Sequence, residues 1–504
     1  MARTARLALP LALLLALLIG FGSPVQAQSP NPINHIIVIY QENWSFDSLY
    51  GRFPGANGIA RAGAALHQVD KNGQPLASLP QPIDTNQKPA VPDKRFPASM
   101  PVKPFDIGQY VPADQHIGDL VHRFYQEQYQ IDGGKMDKFV AWSDNGGLTL
   151  GYYDATNMPE GKLAQQYTLA DNFFHAAFGG SFLNHIWLIC ACSPTWPNAP
   201  ASKVAQLDAN GVMVKDGQVT PDGYVVNTSY TINSPHPPTI TDTAQLVPQQ
   251  TMPTIGDRLS EKGVSWAWYS GGWTDALSGR PDPLFQYHHQ PLAFFQNYAD
   301  GTDGRAQHLK DESEFHHAIQ TNTLPAISFV KPLGPENEHP GYATLLRGQQ
   351  HVADLVQEVQ NSPAWADTAI IITYDEHGGF WDHVAPPKID QWGPGSRVPA
   401  IIISPYAKKG YVDHTQYDTT SILKFIETRW GLAPLSTRDA SANDLSNAFD
   451  FSQRPGEQPA APANRPATLP NTGGDATAPL GLLAAIALLL GAGWAIRRRA
   501  RRSA

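Results

Sequence analysis

The chain has 504 residues and a formal net charge of −9, from 36 Lys and Arg against 45 Asp and Glu. With no long basic block in its body, that balance excludes a nucleic-acid-binding module. The 44 prolines and 42 glycines alternate with apolar runs, so they mark ordered loops of a globular protein and not a disordered one.

Residues 1–27 carry Arg3 and Arg6, a Leu/Ala-rich core and the small-residue site Val25-Gln26-Ala27. This is the pattern of a secretory signal cleaved after Ala27. A catalytic body is expected over 28–455. It begins with a β-branched run at 36–40 that stops at Glu42 and Asn43. The polar, proline-rich stretch 53–104 reads as a long loop or cap. Helical spacing covers 116–129, with Ile117, Leu120, Val121 and Phe124 on one face, and again 161–172. Residues 193–250 read as an insertion with short strands. A helix at 254–262 leads into a strand at 264–269, and a further strand covers 324–330. A helix at 349–361 turns Val352, Leu355, Val356 and Val359 inward. Strands at 369–374 and 398–404 and a helix at 419–430 complete the body. The alternation predicts an α/β fold with a mostly parallel sheet flanked by helices.

Residues 456–477 form a Pro/Ala-rich linker, and an apolar run at 478–496 is long enough to cross a bilayer as a transmembrane helix. The basic tail at 497–504 would stay cytoplasmic and leave the body outside. Leu469-Pro470-Asn471-Thr472-Gly473, followed by that run and tail, resembles a sortase sorting signal. The resemblance implies cleavage between Thr472 and Gly473 and attachment to the cell envelope. A plain C-terminal membrane anchor is the alternative. Either way the body is expected in the periplasm or on the cell surface.

The only cysteines, Cys190 and Cys192, are separated by one residue. A mutual disulfide would be strained, so no bridge is expected, and stability must come from the core and a metal.

Two apolar strands end at hard oxygen ligands. The first ends at Glu42-Asn43 and the second at Asp375-Glu376. Open α/β sheets bind ligands at the carboxyl ends of their strands, so the two ends can share one divalent cation. Oxygen donors without thiolates suit Mg, Ca, Mn or Zn. Gly179-Gly180-Ser181 offers a tight turn that presents a hydroxyl at the start of a helix, where N–H groups point at a bound anion. A cation contacting Ser181 would make it a nucleophile.

Gln41-Glu42-Asn43-Trp44-Ser45-Phe46-Asp47, Gly-Gly-Ser-Phe-Leu-Asn-His at 179–185, and Tyr374-Asp375-Glu376-His377-Gly378-Gly379 with Asp382-His383-Val384 together resemble the phosphoesterase family. That family contains bacterial phospholipases C and acid phosphatases within the alkaline-phosphatase superfamily. The resemblance covers roughly 34–430. It implies an alkaline-phosphatase-like fold and one metal held by Glu42, Asn43, Ser181, Asp375 and Glu376. It also implies phosphate-binding histidines at His116, His288, His289 and His339. Serine followed by Phe-Leu-Asn-His favours the acid phosphatase branch. That branch implies a phosphomonoesterase working through a phosphoseryl intermediate. Glu376 replaces an expected aspartate, which makes Asp375 the safer ligand. Imidazolium groups can bind phosphate oxygens and protonate a leaving alkoxide. Asp382 and His383 suit a bridge that orients the ligand loop.

Three other readings stand beside this one. A phospholipase C acting on phosphatidylcholine-type lipids would share the core and differ in the pocket, where Trp44, Trp142 or Trp273 could cage a choline. Cys192-Ser193-Pro194-Thr195-Trp196 nearly fits the sulfatase pattern but has tryptophan in place of its arginine. A non-enzymatic surface-anchored protein would bind no metal and turn nothing over.

Overall fold

A computed structural model describes residues 31–453. The signal at 1–27, the linker at 456–477 with its sorting signal, the apolar run at 478–496 and the basic tail lie outside these residues. Among the described residues no helix is long and apolar enough to cross a membrane.

The centre is an eight-stranded sheet. Its strands are β1 (His35–Gln41), β2 (Thr168–Ala170), β5 (Trp266–Ser270), β6 (Leu309–Asp311), β7 (Ile327–Lys331), β8 (Thr368–Tyr374), β9 (Ala400–Ile403) and β10 (Tyr411–Asp413). A hairpin outside the sheet supplies β3 (Gln206–Leu207) and β4 (Met213–Lys215). The spatial order is β6-β5-β7-β1-β8-β9-β2-β10. Only β9 runs against its neighbours, β8 and β2. The sheet is therefore mixed but mostly parallel, as the alternation of elements required.

β1 lies at the middle, pairing Ile37 with Ser328 of β7 on one side and Ile370 of β8 on the other. Val38, Ile39, Ile371 and Ile372 are buried. This matches the continuous apolar runs of a parallel strand covered on both faces. The shared register aligns the carboxyl ends of β1, β7 and β8, so Glu42, Lys331 and Asp375 arrive at one edge.

Helices cover the sheet: α1 (Phe46–Tyr50), α2 (Phe124–Ile131), α3 (Pro159–Gln166), α4 (Ser181–Cys190), α5 (Leu345–Gln360) and α6 (Thr419–Trp430). α5 packs on α3 and buries Val352, Leu355, Val356 and Val359. α6 packs on α4. It starts at an Asp418 capping box and stops at Gly431 in the left-handed region. All ten residues of α4 are buried.

Three expectations change. The helix expected over 161–172 ends at Gln166, and Thr168–Ala170 is strand β2 of the sheet. The helix foreseen at 116–129 begins only at Phe124, and His116 lies in exposed coil. Cys190 and Cys192 are joined as a disulfide. Ala191 ends α4 in the left-handed region (φ 48°) and folds the chain back, which leaves the two Cα atoms 5.1 Å apart. That spacing is ordinary for a bridge. A bridged Cys192 also removes the sulfatase reading, which needs that cysteine free for modification.

Candidate functional site

Ser181 is the first residue of α4, and its Oγ donates to Glu42 Oε2 (3.0 Å) and lies 3.3 Å from Asn43 Oδ1. The preceding glycines explain how it gets there. A Cβ on Gly179 would lie 2.5 Å from Phe124 N, and one on Gly180 would lie 2.7 Å from the His122 carbonyl. Only glycine lets the serine turn approach the 122–124 segment so closely.

Asn43, with φ 67°, bends the chain at the end of β1. Its N–H donates to Asp375 Oδ1 (3.0 Å), as does the Glu376 N–H (2.8 Å). Gly378 packs on Asn43, where a Cβ would meet the Asn43 carbonyl at 2.1 Å. The two acidic strand ends are therefore interlocked through their backbones. Asn43 Nδ2 lies 3.3 Å from His122 Nε2 and 3.1 Å from His339 Nε2. Glu42, Asn43, Ser181, Asp375 and Glu376 come together, all buried.

The charges are unequally compensated. Glu42 Oε1 lies 2.5 Å from Lys331 Nζ and 2.8 Å from His289 Nε2. Burial works against its charge, yet Lys331 and His289 hold Glu42 well below the usual carboxylate range. Asp375 is pushed well above that range by burial and by the charge of Glu42. Asp375 Oδ2 and Glu376 Oε1 are buried with no hydrogen-bond partner. Their nearest basic groups are His185 Nδ1 at 3.8 Å and His122 Nε2 at 3.9 Å. Two orphaned carboxylate oxygens beside a serine hydroxyl and an amide oxygen are a donor set that a divalent cation fits.

The histidines divide into three groups. His288 lines the cleft above Ser181, and burial, reinforced by His289, holds it well below its ordinary value. His289 pairs with Glu42 and stacks on His185 at 5.1 Å; burial brings it down to about 4. His339 lines the cleft and stacks on Tyr342 at 4.3 Å. His116 stands apart: it is exposed, and only its carbonyl is engaged, by Arg95.

His122, which the sequence reading missed, takes the place His116 was given. Its Nδ1 donates to the Leu120 carbonyl (2.6 Å), which turns Nε2 toward Asn43 and the cleft. Burial pulls its pKa down, but Glu376 and Asp119 outweigh this and raise it to about 9. Lys331 and His185 were also missed. Lys331 ends β7 as Glu42 follows β1, so the strand-end argument could have found it. His185 lies one turn after Ser181 and contacts the Ser181 carbonyl (2.7 Å). Glu42, His185 and His289 form one candidate metal-ligating group, and Asp119, His122 and His339 another.

Two buried networks brace the site. Arg397 binds Asp382 through Nε (2.9 Å) and Asp47 through Nη2 (3.2 Å), while His383 Nδ1 contacts Asp47 Oδ2 (2.6 Å). Asp382 and His383 thus anchor the loop behind Asp375 and Glu376. Glu127 accepts from Gly179 N (2.6 Å) and contacts His175 (2.9 Å), and His377 lies 3.3 Å from Glu376. This second network ties the serine turn to the acidic loop.

The cleft measures about 370 Å³. Its charged walls are Asp119, Asp144 and the Lys331-paired Glu42 on one side, and His122 and the Asp216-paired Arg123 on the other. None of the three candidate cage tryptophans lines it. Trp44 is buried against Phe380, Trp273 is buried beside Arg305, and Trp142 stacks on Tyr129.

Comparison with known proteins places the chain in a family. The sequence model of the Phosphoesterase family matches residues 33–433, and that of the LPXTG cell wall anchor motif matches 461–502. Phospholipase C B of Mycobacterium tuberculosis is 25% identical over 470 residues, covering 84% of this chain and 78% of its own. A non-hemolytic phospholipase C of Pseudomonas aeruginosa is 23% identical over 85% of this chain and 58% of its own length. A solved alkaline phosphatase superfamily protein from Vibrio parahaemolyticus aligns over 55% of this chain and 61% of its own. Its identity is 11% and its TM-score 0.31, too slight a likeness to carry an argument. The chain belongs to the Phosphoesterase family and is a phosphoester hydrolase.

Proposed function

We propose that the protein is a phospholipase C-type phosphodiesterase that uses Ser181 as its nucleophile. The observation that carries this is Ser181 Oγ, held between Glu42 and Asn43 at the floor of an open cleft. The carboxylates of Asp119 and Asp144 on the cleft wall favour a diester with a cationic headgroup over the phosphomonoester expected from the serine motif. A diester carries one negative charge and can bring a cationic headgroup to Asp119 and Asp144. The relatives that span most of this chain carry the name phospholipase C, which supports the same revision.

A divalent cation held by Glu42, Asn43, Ser181, Asp375 and Glu376 would offset charge on the phosphoryl oxygens and acidify the serine hydroxyl. Ser181 Oγ, at the N-terminus of α4, attacks phosphorus. The P–O bond to the alcohol opens, and His339 or His122 protonates the leaving oxygen. Water then frees the phosphorylated headgroup. The LPXTG match supports attachment by a sortase at Thr472. On this reading residues 478–496 serve the sorting signal and are not a standing membrane helix.

The test uses the chain ending at Thr472, which retains the whole sheet and core. It compares p-nitrophenyl phosphorylcholine, phosphatidylcholine and p-nitrophenyl phosphate, with and without chelator. Preferential, chelator-sensitive hydrolysis of the diesters is expected. A clear preference for the monoester would restore the phosphatase reading.

A further inference from the structure

Glu338 is fully buried, and its backbone is left-handed (φ 73°), where residues with side chains are uncommon. It comes directly before His339, which lines the cleft. Its own side chain turns into the core, beneath the two acidic strand ends.

Three contacts of Glu338 reach residues that flank the candidate cation ligands. Its Oε1 accepts from Gln41 Nε2 (2.9 Å), the residue before Glu42. Its Oε2 accepts from Tyr374 OH (2.7 Å), the residue before Asp375. Its carbonyl accepts from Trp44 Nε1 (3.0 Å), the residue after Asn43. One residue thus grips both flanks of Glu42-Asn43 and the end of β8. A Cβ on Gly348 of α5 would lie 2.2 Å from Glu338 Cγ, so only glycine lets that helix close over the arm.

The chain on either side is held as well. Glu42 N donates to the Asn337 carbonyl (3.0 Å). Asn337 Oδ1 accepts from His339 N (3.0 Å), and its Nδ2 donates to Tyr342 OH (3.1 Å). His339 Nδ1 lies 2.6 Å from the Pro340 carbonyl, which leaves Nε2 facing the cleft, 3.1 Å from Asn43 Nδ2.

Tyr374 OH also lies 3.0 Å from Glu160 Oε2. One hydroxyl proton cannot serve two carboxylate oxygens, so one of these two carboxyl groups carries a proton of its own. The Glu338 arm therefore acts by spanning Gln41 and Tyr374 with hydrogen bonds, a task that does not need a charge.

We propose that Glu338 is a positioning residue for hydrolysis at Ser181: it fixes the His339 loop to the ends of β1 and β8, so that His339 protonates the leaving oxygen. As the P–O bond to the alcohol breaks, its electron pair goes to the leaving oxygen, which takes the Nε2 proton of the His339 imidazolium. Anchoring the proton donor to the strand ends that carry Glu42, Asn43 and Asp375 keeps it in register with the nucleophile. The inference rests on Ser181 as nucleophile and His339 as acid, and holds for a diester or a monoester.

The test compares wild type, Glu338→Asp, Glu338→Gln, His339→Asn and the Glu338→Asp/His339→Asn double variant by kcat/KM. Each is assayed on an alkyl ester and on a p-nitrophenyl ester, whose leaving group departs without a proton. The pairs are dihexanoyl phosphatidylcholine with p-nitrophenyl phosphorylcholine, and glycerol phosphate with p-nitrophenyl phosphate. The ratio within one preparation does not depend on how much of it is folded. Glu338→Asp, too short to span both partners, should lose about a hundredfold on the alkyl ester and only about threefold on the p-nitrophenyl ester. Glu338→Gln, which can still span them, should recover most of that loss. The double variant should lose no more on the alkyl ester than His339→Asn alone. Equal losses on both esters, multiplying losses in the double variant, or a glutamine variant as impaired as the aspartate one would overturn the proposal. An alkyl-selective loss in His339→Asn but not in Glu338→Asp leaves His339 as the acid and removes Glu338. If His339→Asn spares the alkyl ester, both assignments fall. A preference of every protein for the monoesters sinks the diester reading alone, because the ratio is then read in that series.

Discussion

Lys331 Nζ lies 2.5 Å from Glu42 Oε1, and neither side chain reaches solvent. The pair joins the carboxyl ends of β7 and β1 and keeps Glu42 ionised at the floor of the site. Lys331→Met should leave the buried Glu42 charge with only His289 on Oε1 and lower stability by about 3 kcal/mol, measured by urea unfolding. Adding Glu42→Gln should recover part of that loss, because the two substitutions share one interaction.

Ser181→Ala should reduce kcat by about a thousandfold or more on p-nitrophenyl phosphorylcholine, with an unchanged circular dichroism spectrum. Rapid-quench labelling should find a phosphorylated serine peptide in the wild type and none in the variant. Normal turnover by Ser181→Ala would remove the nucleophile.

His122 and His116 are six residues apart but differ in place, one facing Asn43 and the other exposed. His122→Asn should cut kcat/KM by about a hundredfold. His116→Asn should leave it within error. The reverse order would overturn the assignment.

Asp375 Oδ2 and Glu376 Oε1 lack partners, so a cation should be retained through purification and stabilise the fold. Elemental analysis should find metal in the wild type and little in Asp375→Asn. Chelator should lower Tm in the wild type and barely change it in the variant. Ligand protons must leave before the metal binds, and Asp375 holds its proton unusually firmly. Retention should therefore weaken as pH falls.

Behind the site, Tyr374 OH lies 2.7 Å from Glu338 Oε2 and 3.0 Å from Glu160 Oε2. Burial raises Glu338 to about 7, and burial with the charge of Glu338 raises Glu160 well above its ordinary value. The folded chain thus binds more protons here than the unfolded chain. Stability from this pair is complete below the ordinary carboxyl range and is lost as pH rises through about 7. Glu160→Gln removes one of the two titrations. Between pH 5 and 8, Tm of the wild type should fall a few degrees more than that of the variant.

Much of this was legible because charge at the end of an apolar strand has few innocent explanations. Glu42, Asn43, Asp375 and Glu376 were read that way, and Gly-Gly-Ser announced a turn that only glycine could make. Lys331 obeys the same rule but was passed over, since β7 was read as ending one residue earlier. His122 carries no local signal; its place depends on Gly179 and Gly180 admitting its segment to the serine turn. The Cys190–Cys192 bridge depends on one left-handed residue, Ala191, whose conformation no neighbouring residue type announces. The preference for a phosphatase rested on a motif beside Ser181, whereas the acidic cleft walls come from distant loops.

The central place of β1 also governs how the chain can fold. Both of its neighbours, β7 and β8, enter only at Ile327 and Thr368. Until those residues are available, the strand that carries Glu42 and Asn43 has two unpaired edges and nothing to register against. Folding must wait for contacts distant in sequence, which are slow to form. A chain threaded N-terminus first through a secretion channel would emerge with the strand that carries Glu42 and Asn43 still open, and the site would be completed among the last parts of the fold.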